Sequence, residues 1–212
     1  QPGQQAISLG PIVHYMAIYG ADEDAAATGD LDVSDDLIIK GADASTTMSA
    51  LPSPPDPATL RRGVMTLADL PQVLAIEQAA YAFPWTRGNF VDSLAASHPT
   101  QVLRTADGAV QAYTVAQRGV QELHLLNLTV ASMLQGRGLA RVLLDGLVDQ
   151  ARDEAHQWLW LEVRESNQRA RDIYRRYGFE DVGLRRGYYP AAAGRREDAR
   201  VACPGTGLRL AV

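Results

Sequence analysis

The residues Gln135, Gly136, Arg137, Gly138, Leu139, Ala140 and Arg141 stand between an apolar run, residues 123–130, and an amphipathic stretch that opens at Leu139. An apolar strand, a glycine-rich turn and a helix start together make a cradle for phosphate. Consecutive backbone N–H groups converge on one concavity there, and the helix dipole adds partial positive charge. Glycine is needed because a side chain would hold a diphosphate away from the backbone. A P-loop requires a lysine after its second glycine, and none follows here; the dinucleotide pattern Gly-x-Gly-x-x-Gly fails as well, because Ala140 and Arg141 follow Gly138. What remains is Gln-x-x-Gly-x-Ala, which either grips a diphosphate or merely caps an ordinary helix. A second signal lies downstream, where Glu162 interrupts the apolar run Trp158-Leu159-Trp160-Leu161-Glu162-Val163. A carboxylate in such a strand loses hydration, which favours its neutral form and raises its pKa, as suits a general base. The competing reading is a structural carboxylate neutralised by Arg164 or another arginine.

Bringing these two signals together takes a β-α-β crossover, and the surrounding chain supplies one. Residues 123–130 read as a buried strand, and residues 158–163 as its partner. Between them Leu139, Val142, Leu143, Leu147, Val148 and Ala151 recur at the spacing of a helix lying on a sheet. Upstream, residues 62–66 predict a short strand, and Asp69 with Pro71 the start of a helix that turns Val73, Leu74, Ile76, Ala79 and Ala80 inward. Thr86 caps a second helix through Phe90 and Leu94, and residues 101–105 and 109–117 predict a hairpin about Asp107-Gly108. Downstream, a helix runs from Asn167 to Tyr177 and stops at Gly178. Residues 179–183 and 199–210 close the sheet, the latter interrupted by Pro204, Gly205 and Gly207. This order predicts an α/β domain with a mixed sheet flanked by helices.

The chain has 212 residues, 46% of them hydrophobic, enough for one ordinary domain with an extension. Its net charge of −5 argues against nonspecific binding to nucleic acid or to an anionic membrane as the main task. The charge is uneven. Residues 1–58 hold nine acidic residues against one basic, Lys40, whereas residues 59–212 hold 16 acidic and 19 basic. With the proline run of residues 51–57, this predicts a weakly ordered acidic extension over 1–58 and a mildly basic folded domain over 59–212. The single cysteine, Cys203, forms no internal disulfide, and no histidine stands in a sequence relation that would make it a nucleophile. No apolar run of about 18 residues and no basic segment before an apolar stretch is present, so a cytoplasmic protein is expected.

Six segments carry a family resemblance, in order and at fitting distances: IEQAAYAFPW at 76–85, residues 126–130, residues 135–141, WLEVRESN at 160–167, RDIYRRYGF at 171–179 and RRGYYPAAAGRRED at 185–198. Across residues 60–200 the chain resembles RimI-type GNAT acetyltransferases, which acetylate the N-terminal amine of a small-subunit ribosomal protein. The resemblance implies the GNAT fold, a splayed sheet that takes acetyl-coenzyme A between two parallel strands, and it implies no metal. It implies that Leu128, Thr129 and Val130 offer backbone groups to the pantetheine arm and that Gln135, Gly136, Arg137, Gly138, Leu139, Ala140 and Arg141 hold the pyrophosphate. It further places Asn167 against the cofactor, Glu162 as general base and Tyr174 as the acid that protonates the departing thiolate. Phe83 and Trp85, with Tyr188 and Tyr189, would line the acceptor side, receiving a protein or peptide N-terminus. No direct nucleic-acid or membrane contact is expected.

Other readings stand beside this one. The same chemistry could serve a lysine side chain, another N-terminus or a small amine, and a coenzyme A-binding module without catalysis would share the cradle. Tyr174 could be core packing beside Ile173 and Tyr177. The acidic extension could lie over the basic acceptor side and compete with substrate. The interrupted run after Cys203 departs from the family pattern, which continues as an unbroken apolar strand.

Overall fold

In the computed structural model, residues 55–205 are described; the expected acidic extension lies, up to residue 54, outside them. Seven strands form one sheet: β1 Arg61–Gly63, β2 Thr100–Arg104, β3 Val110–Gly119, β4 Glu122–Val130, β5 Trp158–Arg164, β6 Phe179–Pro190 and β7 Arg196–Pro204, in the order β1-β2-β3-β4-β5-β7-β6. All neighbours are antiparallel except β4 and β5, which are parallel and joined by a helical crossover. Four helices flank the sheet: α1 Leu70–Ala80, α2 Arg87–Ala95, α3 Leu139–Asp153 and α4 Gln168–Tyr177. None of the described helices is long and apolar enough to cross a membrane.

The two faces of the sheet bury separate cores. On one, α3 and α4 cover Leu123, Leu125, Leu128 and Val130 of β4 and Leu159, Leu161 and Val163 of β5. On the other, α1 and α2 bring Leu70, Val73, Trp85 and Phe90 onto Val102, Tyr113 and Val115. The α3 stripe is made by Leu139, Leu143, Leu144, Leu147, Val148 and Ala151, all buried. Val142, expected on that stripe, is 41% exposed, because one residue along a helix turns about 100° and carries it off the Leu139-Leu143-Leu147 line.

The ends of the elements follow local chemistry. Thr86 caps α2, its hydroxyl accepting from the N–H of Asn89. Asp69 stands at the start of α1 as expected, but its carboxylate accepts from the N–H of Thr66 and the guanidinium of Arg104 rather than from the helix. Gly178 ends α4 at φ 112°, a left-handed conformation that costs glycine little. The closing hairpin begins earlier than expected: β7 starts at Arg196 and runs without a break to Pro204, so the proline marks the end of the strand. Residues 206–210 of the expected last strand lie outside the described residues.

Candidate active site

The β4–β5 ladder is short. Cα partners run from Glu122↔Trp158 to Leu125↔Leu161 and stop there, while β4 continues to Val130 and β5 to Arg164. The two strands part into a V, one arm held by β3 and the other by β7. The parting coincides with a register shift in β4 opposite Val115 and Ala116, where one extra residue, Leu126, enters the strand. Such a bulge bends the strand and sharpens its twist. It also exchanges the faces. Asn127 and Thr129 turn to the α1 side and Leu128 and Val130 to the α3 side, whereas unbroken alternation from His124 would do the reverse.

Beyond Val130 the chain turns through residues 131–138 into α3. Gly136 has φ 78° and Gly138, at the N-cap of α3, has φ 84°. A Cβ on Gly138 would meet nothing within 4 Å, and one on Gly136 only Nη2 of Arg169 at 3.8 Å. Both positions therefore border open space. Among the described residues, the first N–H in α3 to reach a backbone carbonyl is that of Val142, on Gly138 at 3.2 Å. The earlier N–H groups of the helix are left for a ligand. Residues 136–138 and Arg141 are exposed, whereas Leu139 is buried under the helix and acts only through its backbone. Gln135 turns its amide inward, donating to the carbonyl of Val130 at 3.2 Å and tying the turn to the strand.

The other arm of the V leads from Arg164 to Asn167, the N-cap of α4. Asn167 Oδ1 accepts from the N–H of Ala170 at 2.9 Å, while its buried Nδ2 finds no partner among the described residues. An orphaned buried donor on this arm of the V fits a ligand that carries hydrogen-bond-accepting oxygens. Arg169, in the first turn of α4, brings Nη2 to 3.8 Å from where a Cβ on Gly136 would lie, and it was not legible from the turn motif, since it comes from the opposite arm.

Glu162 follows the last β4–β5 pair directly and lies at the base of the V on the α1 side. It is buried, and two basic side chains close on it: Nε2 of His124 meets one oxygen, and Nη2 of Arg185 lies 3.1 Å from the other. Burial pushes its pKa up, but His124 and Arg185 together outweigh burial and hold it below the usual carboxylate range. The expected raised pKa is thus corrected. The partner is Arg185 from β6, not the adjacent Arg164, which pairs with Glu197 at 3.4 Å and donates to the carbonyl of Pro190 at 2.8 Å. Tyr174 sits on the opposite face, buried in the α3–α4 core with its ring 5.8 Å from that of Phe179.

On the acceptor side the structure separates the four expected aromatics. Phe83 is 39% exposed and Tyr188 half-buried, but Trp85 and Tyr189 are almost wholly buried. Trp85 packs on Phe90 at 5.2 Å and belongs to the α1–α2 core. Tyr189 lies under the guanidinium of Arg164 at 4.5 Å, and Phe83 reaches the same guanidinium at 5.8 Å. Arg164 therefore bridges the α1–α2 loop and the β6–β7 hairpin. Phe83 and Tyr188 offer the surface, and Trp85 and Tyr189 anchor it. Cys203 is buried beside Trp160 and Val201, and burial raises its thiol pKa, the reverse of a nucleophile's need.

A buried acidic group escaped the sequence reading. Glu77 occupies the inner stripe of α1 with Leu70, Val73 and Ala80, where the expected positions Leu74 and Ile76 are only half-buried and Ala79 is exposed. It accepts from the N–H of Trp85 at 2.8 Å, from the hydroxyl of Tyr113 and from Asn127 Nδ2 at 3.3 Å. Asn127 in turn accepts from Thr129, whose hydroxyl lies 2.7 Å from that of Tyr81. The network ties the acceptor loop to the splayed part of β4. Burial raises the Glu77 pKa to about 7, against the opposing pull of Tyr113 and the Trp85 N–H. A carboxyl raised on folding stabilises the fold fully below about pH 4.5, and that contribution fades as pH rises through about 7, by roughly 3 kcal/mol in all. Thermal unfolding of the wild type is expected to lose several degrees between about pH 5 and about pH 8, and Glu77→Gln to flatten that slope, as differential scanning calorimetry across pH would read.

The comparisons with known proteins agree with this geometry. The model of the Acetyltransferase (GNAT) family matches residues 70–179. The chain is 37% identical over 141 residues to the ribosomal protein bS18-alanine N-acetyltransferase of Salmonella typhimurium, covering 66% of this chain and 95% of that relative. The Escherichia coli K12 enzyme of the same name is 37% identical over 136 residues, 64% of this chain and 91% of its own. The crystal structure of the Escherichia coli ribosomal-protein-S18-alanine N-acetyltransferase aligns with a TM-score of 0.64 at 33% identity, covering 72% of this chain and 95% of that one. With its parallel strands splayed before Glu162 and a glycine turn opening α3, the chain belongs to the GNAT family of acetyl-CoA-dependent N-acetyltransferases.

Proposed function

We propose that this chain transfers the acetyl group of acetyl-CoA to the N-terminal α-amine of a protein, and that its acceptor is the N-terminal alanine of ribosomal protein bS18. The observation that carries the chemistry is the end of the β4–β5 ladder at Leu125↔Leu161, which opens a slot directly beside Glu162. The acceptor follows from the relatives, whose names state that residue and that ribosomal protein. A second reading, another N-terminus or a lysine, would use the same slot.

The residues divide the work. The N–H groups of residues 136–141, with Arg137 and Arg141, hold the diphosphate, and Asn167 Nδ2 donates to the pantetheine arm beside the backbone of Leu128, Thr129 and Val130. Acetyl-CoA, when bound, supplies an acetyl group activated as a thioester. Glu162, with His124 and Arg185 bound to it, forms the basic end of the site, which relieves the acceptor ammonium of its proton through an intervening water. A backbone N–H in residues 128–130 polarises the thioester carbonyl as negative charge develops on it. Tyr174 delivers a proton to the departing sulfur from the other face of the sheet. Phe83 and Tyr188, anchored by Trp85 and Tyr189, bound the acceptor and leave room for a small first side chain.

Thiol release from acetyl-CoA with short peptides tests this. Peptides beginning with alanine are expected to react, and the same peptides with blocked N-termini to be inert. Equal turnover of blocked, lysine-containing peptides would overturn the N-terminal assignment. Gly138→Val forces a β-branched residue into the left-handed region, at about 1–2 kcal/mol, and puts methyl groups into the cradle. It is expected to raise the KM for acetyl-CoA about tenfold or more while kcat changes little, as initial-rate kinetics at saturating peptide would measure.

A further inference from the structure

We propose that the proton of the acceptor ammonium is received by the imidazole of His124, with Glu162 orienting the ring and balancing the charge that forms. This deepens the acetyl-transfer reading and rests on it. Glu162 alone is poorly disposed to the task. One of its oxygens is engaged by His124 and the other by Arg185, and its side chain is only 6% exposed. A carboxylate so neutralised has little affinity for a further proton.

The imidazole has what the carboxylate lacks. Nε2 is committed to Glu162, an acceptor, so Nε2 carries the hydrogen and Nδ1 presents a lone pair. No described residue bonds to Nδ1, and the His124 side chain is 19% exposed, so water or substrate can reach it. The charged groups on the ring's face are Glu162 from β5, Arg185 from β6 and Glu122, two residues back along β4. Its strand neighbours, Gln117 on β3 and Trp160 on β5, are uncharged, as is Val201, the β7 partner of Glu162. Cys203, further along β7, lies in the apolar cluster with Trp160. His124 and Glu162 share the α1 face of the sheet, the face that carries Phe83 and Tyr188. This is the logic of a carboxylate that holds a histidine in one tautomer and stabilises its cation.

The proton count closes. The ammonium yields one proton to Nδ1, directly or through one water, and the free amine attacks the thioester carbonyl carbon. As the C–N bond forms and the C–S bond breaks, Tyr174 protonates the sulfur and is restored by the second proton lost from nitrogen. The imidazolium then releases its proton to solvent, the single proton that the overall reaction liberates.

The test is the pH dependence of kcat/KM with an alanine-first peptide in wild type, His124→Gln and His124→Ala. The wild type is expected to lose rate along an acidic limb as the imidazole takes up a proton. His124→Gln should lower kcat about 10²-fold and abolish that limb, with the Kd for acetyl-CoA unchanged within about twofold. Added imidazole should restore part of the rate to His124→Ala, which a purely structural role would not allow. A His124→Gln enzyme with wild-type kcat, or one that keeps the same acidic limb, overturns the inference while leaving acetyl transfer intact. A wild type inactive on every free-amine peptide would remove the acetyl-transfer reading, and this inference with it.

Discussion

Glu162→Gln is expected to cut kcat by about 10²–10⁴ while leaving the affinity for acetyl-CoA essentially unchanged. Glutamine keeps the shape of the side chain and an oxygen for the Nε2–H of His124, but it removes the negative charge that both His124 and Arg185 face. The cation formed during proton transfer then has no counter-charge. The pH dependence of the deficit is itself informative. Because His124 and Arg185 hold the Glu162 pKa below its ordinary value, the wild-type carboxylate stays charged through the neutral and mildly acidic range. Protonation of Glu162 itself should therefore add nothing to the pH dependence of the wild-type rate across that range. An acidic limb that survived in His124→Gln would mean that the carboxylate was taking up its own proton there, as its burial alone would dictate. The same depressed pKa adds stability that is present above its ordinary range and lost as pH falls through the folded value. Circular dichroism at each pH separates folded fraction from rate.

Tyr174→Phe is expected to lower kcat about 10²-fold with little change in stability. The ring packs in the α3–α4 core near Phe179, and phenylalanine refills that volume without a cavity. What is lost is the proton for the leaving sulfur. The deficit should shrink when the thioester carries a more acidic thiol, which needs less help to depart. Stopped-flow comparison of two thioesters reads this directly, and a variant with full rate on both would remove Tyr174 from the mechanism.

Much of this architecture was legible in the residues because it is local. Periodicity located the helices to within a residue or two, and Gly178, Thr86 and Asp107-Gly108 marked real turns. The glycine turn was legible for the same reason: positive φ at Gly136 and Gly138 is a property of the turn residues themselves. Inner stripes were less secure. Glu77 was overlooked because a carboxylate breaks an apolar pattern, yet the spacing 70, 73, 77, 80 carried it inward to meet Tyr113 and Asn127. Of the four aromatics expected on the acceptor side, Phe83 and Tyr188 reach the surface and Trp85 and Tyr189 do not, since aromatic type does not say which ring is buried.

By itself, then, the amino-acid sequence determined the β-α-β crossover, the glycine turn before α3 and a carboxylate on a central strand, all consequences of composition within a few residues. Which groups surround that carboxylate was decided only by the tertiary structure. His124 lies 38 residues upstream of Glu162, and Arg185 reaches it across β7, so neither distance nor charge could be read along the chain. The extra residue at Leu126 then turned Asn127 and Thr129 to the α1 side, a change of face that strict two-residue alternation excludes. The physical reason is common to both: an ionisable group takes its proton affinity from whatever packs around it, and packing is set by sheet register and bulges, which belong to the folded sheet as a whole.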